Sequence, residues 1–371
     1  MKKISAPLPP GSTVGILGGG QLARMLALAA GRLGIDCHVY APEADSPAFA
    51  VSAARTVAGY DDFAALEAFA REVDVVTYEF ENVPGDTAGF LDSRVPVAPG
   101  VAALKTAQDR IAEKSFIAGL GIPVAPFAEV CDLASLEAAI ARIGRPAVLK
   151  TRRFGYDGKG QTKIHDGTDP GTAFAEIGRQ PAILEGFVQF EKEISVIAAR
   201  SWSGEVQVYD VPENHHENHI LKTSTVPARI SPAVARAAMD FGSRIIAALD
   251  YVGVIGIEMF VAGDDVIVNE IAPRVHNSGH WTMDACAVSQ FEQHIRAVCG
   301  WPLGSPERYA DVVMTNLLGD EAGRWRELAA EPRVHLHLYG KREARPGRKM
   351  GHFNRVTPRQ PQDSMLTRRP R

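Results

Sequence analysis

Between Thr13 and Ala98, short apolar runs alternate with helix-period segments, and this alternation limits the fold more than any other feature of the chain. The runs Thr13 to Leu17, Cys37 to Tyr40, Val73 to Tyr78 and Val95 to Ala98 are of strand length, while Gln21 to Leu33 and Phe63 to Arg71 carry apolar residues at helical spacing. Strands linked through helices run parallel, because a tight turn cannot return the chain to the same end of a sheet. An open parallel sheet with helices on its faces is therefore expected. Gly18-Gly19-Gly20-Gln21-Leu22-Ala23 follows the first run and opens the first helix. Amides at such a helix start favour an anion, either a dinucleotide pyrophosphate with Glu43 as its ribose acid or, equally, a single phosphate. Glu79 and Glu81 in TYEFENVP lie just beyond the run ending at Tyr78, where open α/β sheets place ligand-binding groups.

Composition narrows the class. The 371 residues are 46% apolar and 23% charged, which suits a folded chain of several domains and excludes fibrous or disordered material. A net charge of −4 argues against bulk electrostatic attachment to nucleic acid. The start, MKKISAPLPPG, breaks into prolines where a signal peptide needs an apolar run. No stretch reaches the roughly 18 apolar residues of a membrane span, so a cytoplasmic protein without membrane or nucleic-acid partners is expected. Cys37, Cys131, Cys286 and Cys299 form no C-x-x-C pair and read as reduced thiols.

Past Asp109 the texture changes. Ile111 to Leu120 and Leu133 to Ile143 read as helices stopped by Gly121 and Gly144, each with a proline two residues further on. Ala147-Val148-Leu149 is a short buried strand that delivers Lys150 to the mouth of the loop in KTRRFGYDGKGQ. Gly155, Gly158 and Gly160 let the loop backbone approach a ligand, and Lys150, Arg152, Arg153 and Lys159 surround it with positive charge. A polyphosphate, and so a nucleoside triphosphate, fits that chemistry. The run from Pro181 to Val188 can seat an adenine between apolar side chains. Glu193 to Ala199 and Val206 to Val211 read as strands. HHENH at His215 to His219 is not a zincin motif, since H-E-x-x-H from His216 would need histidine where Ile220 stands; a polar loop near a ligand is expected. Ser231-Pro232 opens a long amphipathic helix.

The stretch VIGIEMFVAGDDVIVNEIAPRVHNSGHW, Val254 to Trp281, reads as a hairpin followed by a loop dense in donors. With Gly263-Asp264-Asp265 as the loop, Ala262 pairs with Val266 and Glu258 stands opposite Glu270; a two-residue loop would put the two acids on opposite faces. Carboxylates with Cβ atoms about 5 Å apart repel unless a cation lies between them, and magnesium commonly takes one or two carboxylates together with substrate phosphates. Asn269 is placed to join them. Arg274, His276, Asn277, Ser278 and His280 then supply donors for an anion beside that metal.

Taken together, KTRRFGYDGKGQ, EGFV and NEIAPRVHNSGHW behind GGGQLARM resemble the ATP-grasp superfamily and, within it, the 5-(carboxyamino)imidazole ribonucleotide synthetases of purine biosynthesis. The likeness runs from Thr13 to Asn354. It implies an α/β and α+β architecture, a Rossmann-like N-terminal domain followed by an ATP-grasp fold. The expected divisions are 1–108, then a small subdomain at 109–190 with the glycine-rich loop, a large subdomain with C-terminal substrate-binding strands at 191–355, and a disordered tail at 356–371. The resemblance also implies ATP-driven carboxylation of aminoimidazole ribonucleotide by bicarbonate through carboxyphosphate, with magnesium, or alternatively manganese, as the metal, and a homodimer.

By the same likeness, Arg110 and Lys150 touch ATP phosphates beneath the loop Gly155, Tyr156, Asp157, Gly158, Lys159, Gly160 and Gln161. Glu185, Gly186, Phe187 and Val188 face adenine, Glu193 the ribose and His216 the nucleotide, while Glu258 and Glu270 bind metal beside Asn269. Arg274 and His276 stabilise carboxyphosphate, and Tyr156 or Asp157 handles the proton of the attacking amine. Gly20, Gln21, Leu22, Glu79, Arg345, Arg348 and Lys349 receive the ribonucleotide. Members of that family continue through a further structured segment after G-H-x-N, whereas this chain runs through PRQPQDSMLTRRPR. Three other readings are weighed: a formate-using glycinamide ribonucleotide transformylase, which shares the architecture; an NAD oxidoreductase, which leaves the Lys150 loop idle; and a nucleic-acid-binding module, which rests on the basic 341–349 stretch.

Overall fold

The computed structural model describes residues 2–153, 155 and 160–359, so Tyr156, Asp157, Gly158 and Lys159 lie outside the described residues. Within the described residues the strands form three sheets. The first is parallel, ordered Ala54–Val57, Asp36–Ala41, Thr13–Leu17, Val75–Tyr78. Ala54–Val57 is an exposed edge strand that the apolar pattern did not reveal. Val95 to Ala98, expected as a strand, adds only a single parallel bridge from Val97 to Val76. Pro96 lacks an N–H and contributes only its carbonyl, which accepts from the Val76 amide.

A small antiparallel sheet follows, ordered Phe127–Val130, Ala182–Gly186, Ala147–Thr151, Gln161–Ile164. Its covering helix, Leu133–Ile143, starts at a capping box of Asp132 and Ser135 and ends at Gly144, as its stop signals predict. The third sheet is nine-stranded and antiparallel. The hairpin Gly253–Ala262 and Asp265–Ala272 lies at one end, Lys192–Arg200 next to it, and Lys349–Pro358 with Val334–Leu338 at the other end. The strand Lys349–Pro358 runs past the expected boundary at 355, and the remainder of the expected tail, from Gln360, is outside the described residues.

The long helix is Pro232–Ala248, with the Ser231 hydroxyl accepting from the Val234 amide. It buries Val234, Ala238, Ile245 and Ile246 against Val196 and Ile257 of the large sheet. A second core joins the parallel sheet to the large one, with Ile16, Leu26, Trp281 and Phe291 in one apolar cluster. Fully burying each such large side chain is worth about 1.5–3 kcal/mol, so this seam resists separation. It is also bolted by a buried polar contact, Thr77 Oγ1 to His294 Nε2 at 2.7 Å. The consequence for function is that the parallel and large sheets meet in one continuous seam beside the cleft.

Candidate active site

The cleft has a volume of about 680 Å³ and takes side chains from all three sheets. One wall is the hairpin. Its turn is two residues long, Gly263-Asp264, so Ala262 pairs with Asp265 and not with Val266 as expected. A bulge at Asn269 then adds one residue, and Glu258 comes to stand opposite Glu270 after all. Adjacent strand residues ordinarily point to opposite faces, yet Asn269 and Glu270 both line the cleft, which is what the extra residue achieves. Glu258 Oε1 lies 3.2 Å from His276 Nε2, and Glu270 Oε2 lies 2.8 Å from Arg110 Nη1. Burial would raise Glu258, but the hydrogen bond and charge of His276 hold it down at about 2.

The opposite wall is the small sheet. Lys150 pairs in register with Gln161, so these two strands flank the glycine-rich segment in sequence, and both residues line the cleft with Gly155. Gly160 has φ +70, and a Cβ there would lie 2.7 Å from Thr151 Oγ1, so the loop closes only on glycine. Arg152 and Arg153 line the cleft, and both are also bound to the buried carboxylate of Asp109, at 2.7 and 3.2 Å. That carboxylate also caps the helix Arg110–Gly119.

Glu185 is 4% exposed. Its Oε2 lies 3.0 Å from Lys150 Nζ and 3.6 Å from Lys114 Nζ. Burial works to raise its pKa, and the two ammonium groups outweigh that and hold it at about 2. The Gly186 and Phe187 amides donate to the carbonyls of Pro126 and Pro146, and Phe187 is half exposed at the cleft edge. Glu185, Gly186, Val188 and Gly160 are not part of the cleft lining. Phe190 and Phe260, which sequence reasoning missed, stack with ring centroids 4.4 Å apart and line it.

The run from His215 to His219, expected as a polar loop, is for the most part regular structure. Glu213–Glu217 is a strand that turns at Asn218 and His219, with φ of 50 and 65, and pairs with Ile220–Val226. His216 Nδ1 lies 2.7 Å from Glu193 Oε2, and both residues line the cleft. His219 lines it as well, so the expected nearness to a ligand site is kept.

The third wall comes from the parallel sheet. Glu79 is buried, and its carboxylate accepts the amides of Gly20 and Ala23, the second at 2.9 Å. A Cβ on Gly20 would lie 2.6 Å from Glu79 Oε1, so the glycine signature seats the protein's own carboxylate. Burial raises the Glu79 pKa in spite of those amides. Gln21 and Leu22 line the cleft beside it. Glu81 binds the Arg274 guanidinium through Nε and, at 3.2 Å, through Nη2. His276 Nδ1 and the Ser278 hydroxyl share a hydrogen bond at 2.8 Å, and Asn277 exchanges amide hydrogen bonds with buried Asn316 at 2.8 and 3.0 Å.

Lys349 also lines the cleft, and its carbonyl accepts Lys341 Nζ at 2.7 Å. Burial pushes the Lys341 ammonium down to about 8. Arg345 and Arg348 stand apart from the cleft: the first pairs with Glu343 and the second donates to the Glu343 carbonyl at 2.9 Å. Glu113 and Lys114 were missed, although their spacing of three and four residues from Arg110 puts them on its helix face.

Three regions of the chain match known domain families: residues 12–108 the ribonucleotide synthetase preATP-grasp domain, 115–291 the ATP-grasp domain, and 312–362 the phosphoribosylaminoimidazole carboxylase C-terminal domain. An N5-carboxyaminoimidazole ribonucleotide synthase of Brucella melitensis is 53% identical over 355 residues, 95% of this chain and 98% of that protein. The chain belongs to the N5-carboxyaminoimidazole ribonucleotide synthase family. A solved synthetase of this family in complex with ADP shares 44% identity, with a TM-score of 0.92 over 95% of this chain and 94% of that one. The N5-carboxyaminoimidazole synthase of Aspergillus clavatus, solved with ADP and 5-aminoimidazole ribonucleotide, shares 32% identity, with a TM-score of 0.88 over 96% of both chains. The architecture expected for the family, a preATP-grasp domain before an ATP-grasp fold, is the one observed.

Proposed function

We propose that the chain carboxylates 5-aminoimidazole ribonucleotide with ATP and bicarbonate, giving N5-carboxyaminoimidazole ribonucleotide, ADP and phosphate. The observation that carries this reading is the division of one cleft into two chemistries. Arg110, paired with Glu270 and within 3.5 Å of the Gly155 carbonyl, lies with Lys150 toward the small sheet, and Arg274, paired with Glu81, lies toward the parallel sheet, while Glu258 and His276, 3.2 Å apart, stand where the two meet. In the nucleotide half, Arg110 and Lys150 bind phosphates, Phe187 borders the adenine, and Glu193 with His216 orients the ribose. Phe190 and Phe260 keep the base site apolar.

The donor set fits magnesium. Among the described residues no group of three or more His, Cys, Asp or Glu gathers as a protein-only metal cage, whereas two carboxylates and an amide oxygen on one hairpin suit a hard ion that takes its remaining ligands from phosphates. When bound, the metal neutralises phosphate charge and polarises the transferred group. Glu258, Glu270 and Asn269 would hold it.

Where the two halves meet, bicarbonate oxygen attacks the γ-phosphorus and ADP leaves, giving carboxyphosphate. The exocyclic amine of the ribonucleotide then attacks the carboxyl carbon, a proton leaves the nitrogen and phosphate departs. Arg274, anchored by Glu81, and His276, anchored by Ser278, are placed to stabilise the oxyanions of both steps. Lys349 holds the ribonucleotide phosphate, while Gln21, Leu22 and Glu79 face its ribose. Tyr156 or Asp157 takes the amine proton. A homodimer in the cytoplasm, without nucleic-acid or membrane partners, completes the reading; among the described residues no helix is long and apolar enough to cross a membrane.

Phosphate release from ATP, followed with magnesium and bicarbonate, tests the proposal. Stimulation by 5-aminoimidazole ribonucleotide that requires bicarbonate is the expected result. A folded, ATP-binding protein that shows no stimulation would move the acceptor elsewhere, with formate and glycinamide ribonucleotide next.

A further inference from the structure

Helix Arg110–Gly119 projects Arg110 and Lys114 from one face, four residues apart, but to different ends. Arg110 reaches the cleft, whereas Lys114 is buried at 1% exposure and is not part of the cleft lining. Among the described residues, Lys114 Nζ meets Glu185 Oε2 at 3.6 Å and the Val268 carbonyl at 3.5 Å, with the charges of Glu113, Glu270 and Lys150 also acting on it. Both contacts are long for a buried ammonium group, whose charge must be compensated where it sits. The same Glu185 oxygen is held more closely by Lys150, at 3.0 Å. The other oxygen, Oε1, is buried and accepts no hydrogen bond among the described residues.

One buried carboxylate therefore has two lysines, of which only Lys150 faces the cleft. If Lys150 turns to a phosphate, Glu185 loses its nearer partner. A buried carboxylate that lost its nearest cation with no other close by would oppose that turn, because removing one member of a buried pair leaves an uncompensated charge. We propose that Lys114 is the resident counter-ion of Glu185, a positioning residue that keeps this carboxylate compensated when Lys150 is drawn to the nucleotide phosphates. The inference rests on the ATP-binding reading above.

The test is ADP binding by titration calorimetry with magnesium, on the wild-type chain and on K114M, K114R, E185Q and the double variant E185Q/K114M. Binding by the wild type is the condition set by the ATP reading, and its failure would sink that reading and this inference with it. Given wild-type binding, K114M is expected to lose roughly tenfold in affinity and K114R to recover most of it. In turnover, K114M raises KM for ATP while leaving KM for the ribonucleotide within about twofold, a split that a general loosening of the fold would not give. With the carboxylate gone, E185Q/K114M binds ADP as E185Q does. K114M binding ADP like the wild type would overturn the inference while leaving the ATP reading intact. So would an equal loss from K114M in the E185Q background, since the effect would then not pass through Glu185. Should K114M fail to fold, the comparison of E185Q/K114M with E185Q decides alone, and a double variant that is unfolded or binds more weakly counts against the proposal.

Discussion

Glu258 and Glu270 face each other across a hairpin whose turn alone would have put them on opposite faces. The bulge at Asn269 restores the pairing, and in doing so brings an amide side chain to the same side as both acids. Two acids in register are tolerated because each has its own partner, His276 for Glu258 and Arg110 for Glu270.

Glu270→Gln keeps the shape of that side chain and removes its charge. ATP turnover is expected to fall by at least about 100-fold, near 2.7 kcal/mol of barrier, with near-ultraviolet circular dichroism unchanged. Phosphate release at saturating magnesium is the measurement, and full activity there would remove Glu270 from the metal site.

Glu81→Gln releases Arg274. The carboxylation rate is expected to fall roughly tenfold to 100-fold with KM for ATP little changed, because the guanidinium loses the partner that aims it. Burial raises the Glu81 pKa, and the charge of Arg274 more than reverses this, leaving it at about 2 against an ordinary value of 4.5. A depressed carboxylate contributes stability that is fully present above 4.5 and lost as pH falls toward 2, so denaturation curves of E81Q and wild type should converge across that window. A gap that stays constant from neutral pH to pH 2 would contradict the linkage.

Lys349→Ala should raise KM for the ribonucleotide by about tenfold or more and KM for ATP by less than about twofold. Arg345→Ala, at a surface residue paired with Glu343 away from the cleft, should change each by less than about twofold. Equal effects of K349A on both substrates would take Lys349 out of the ribonucleotide half.

His294 ties the parallel sheet to the large sheet, accepting the Val254 amide at 3.0 Å on one nitrogen and meeting Thr77 on the other. Burial lowers its pKa from 6.5 to about 3. Between those values the unfolded chain binds a proton that the native chain does not, so stability falls with falling pH, by up to about 1.4 kcal/mol per unit. His294→Gln should flatten that slope in urea titrations between pH 6.5 and about 4. An unchanged slope would show that other groups set it.

Much of the fold was legible because its signals are local. Helix caps such as Ser231 and stops such as Gly144 are written within a few residues of the ends they define. The edge strand Ala54–Val57 was not legible, since three of its four residues are exposed and no apolar run marks it. For the acid pair the expected geometry was reached by another route: Gly263-Asp264-Asp265 permits either turn length, and nothing near Asn269 announces a bulge. Lys114 escaped notice because its partner, Glu185, lies on a different element 71 residues further on, a pairing that no local pattern encodes. Arg152 and Arg153 were correctly seen as a cluster of charge, but their counter-ion, Asp109, is set by tertiary packing.

The carboxylate of Glu79 on the amides of Gly20 and Ala23 means that this helix terminus already carries an anion of its own. A pyrophosphate approaching it would be repelled where the motif's usual guest is welcomed. Glycine signatures of this kind therefore report the room available for an oxygen atom without saying whose oxygen it is. In this chain the deciding letter is an acid at the end of a strand 59 residues after Gly20, and a search keyed to glycines alone would group it with the dehydrogenases.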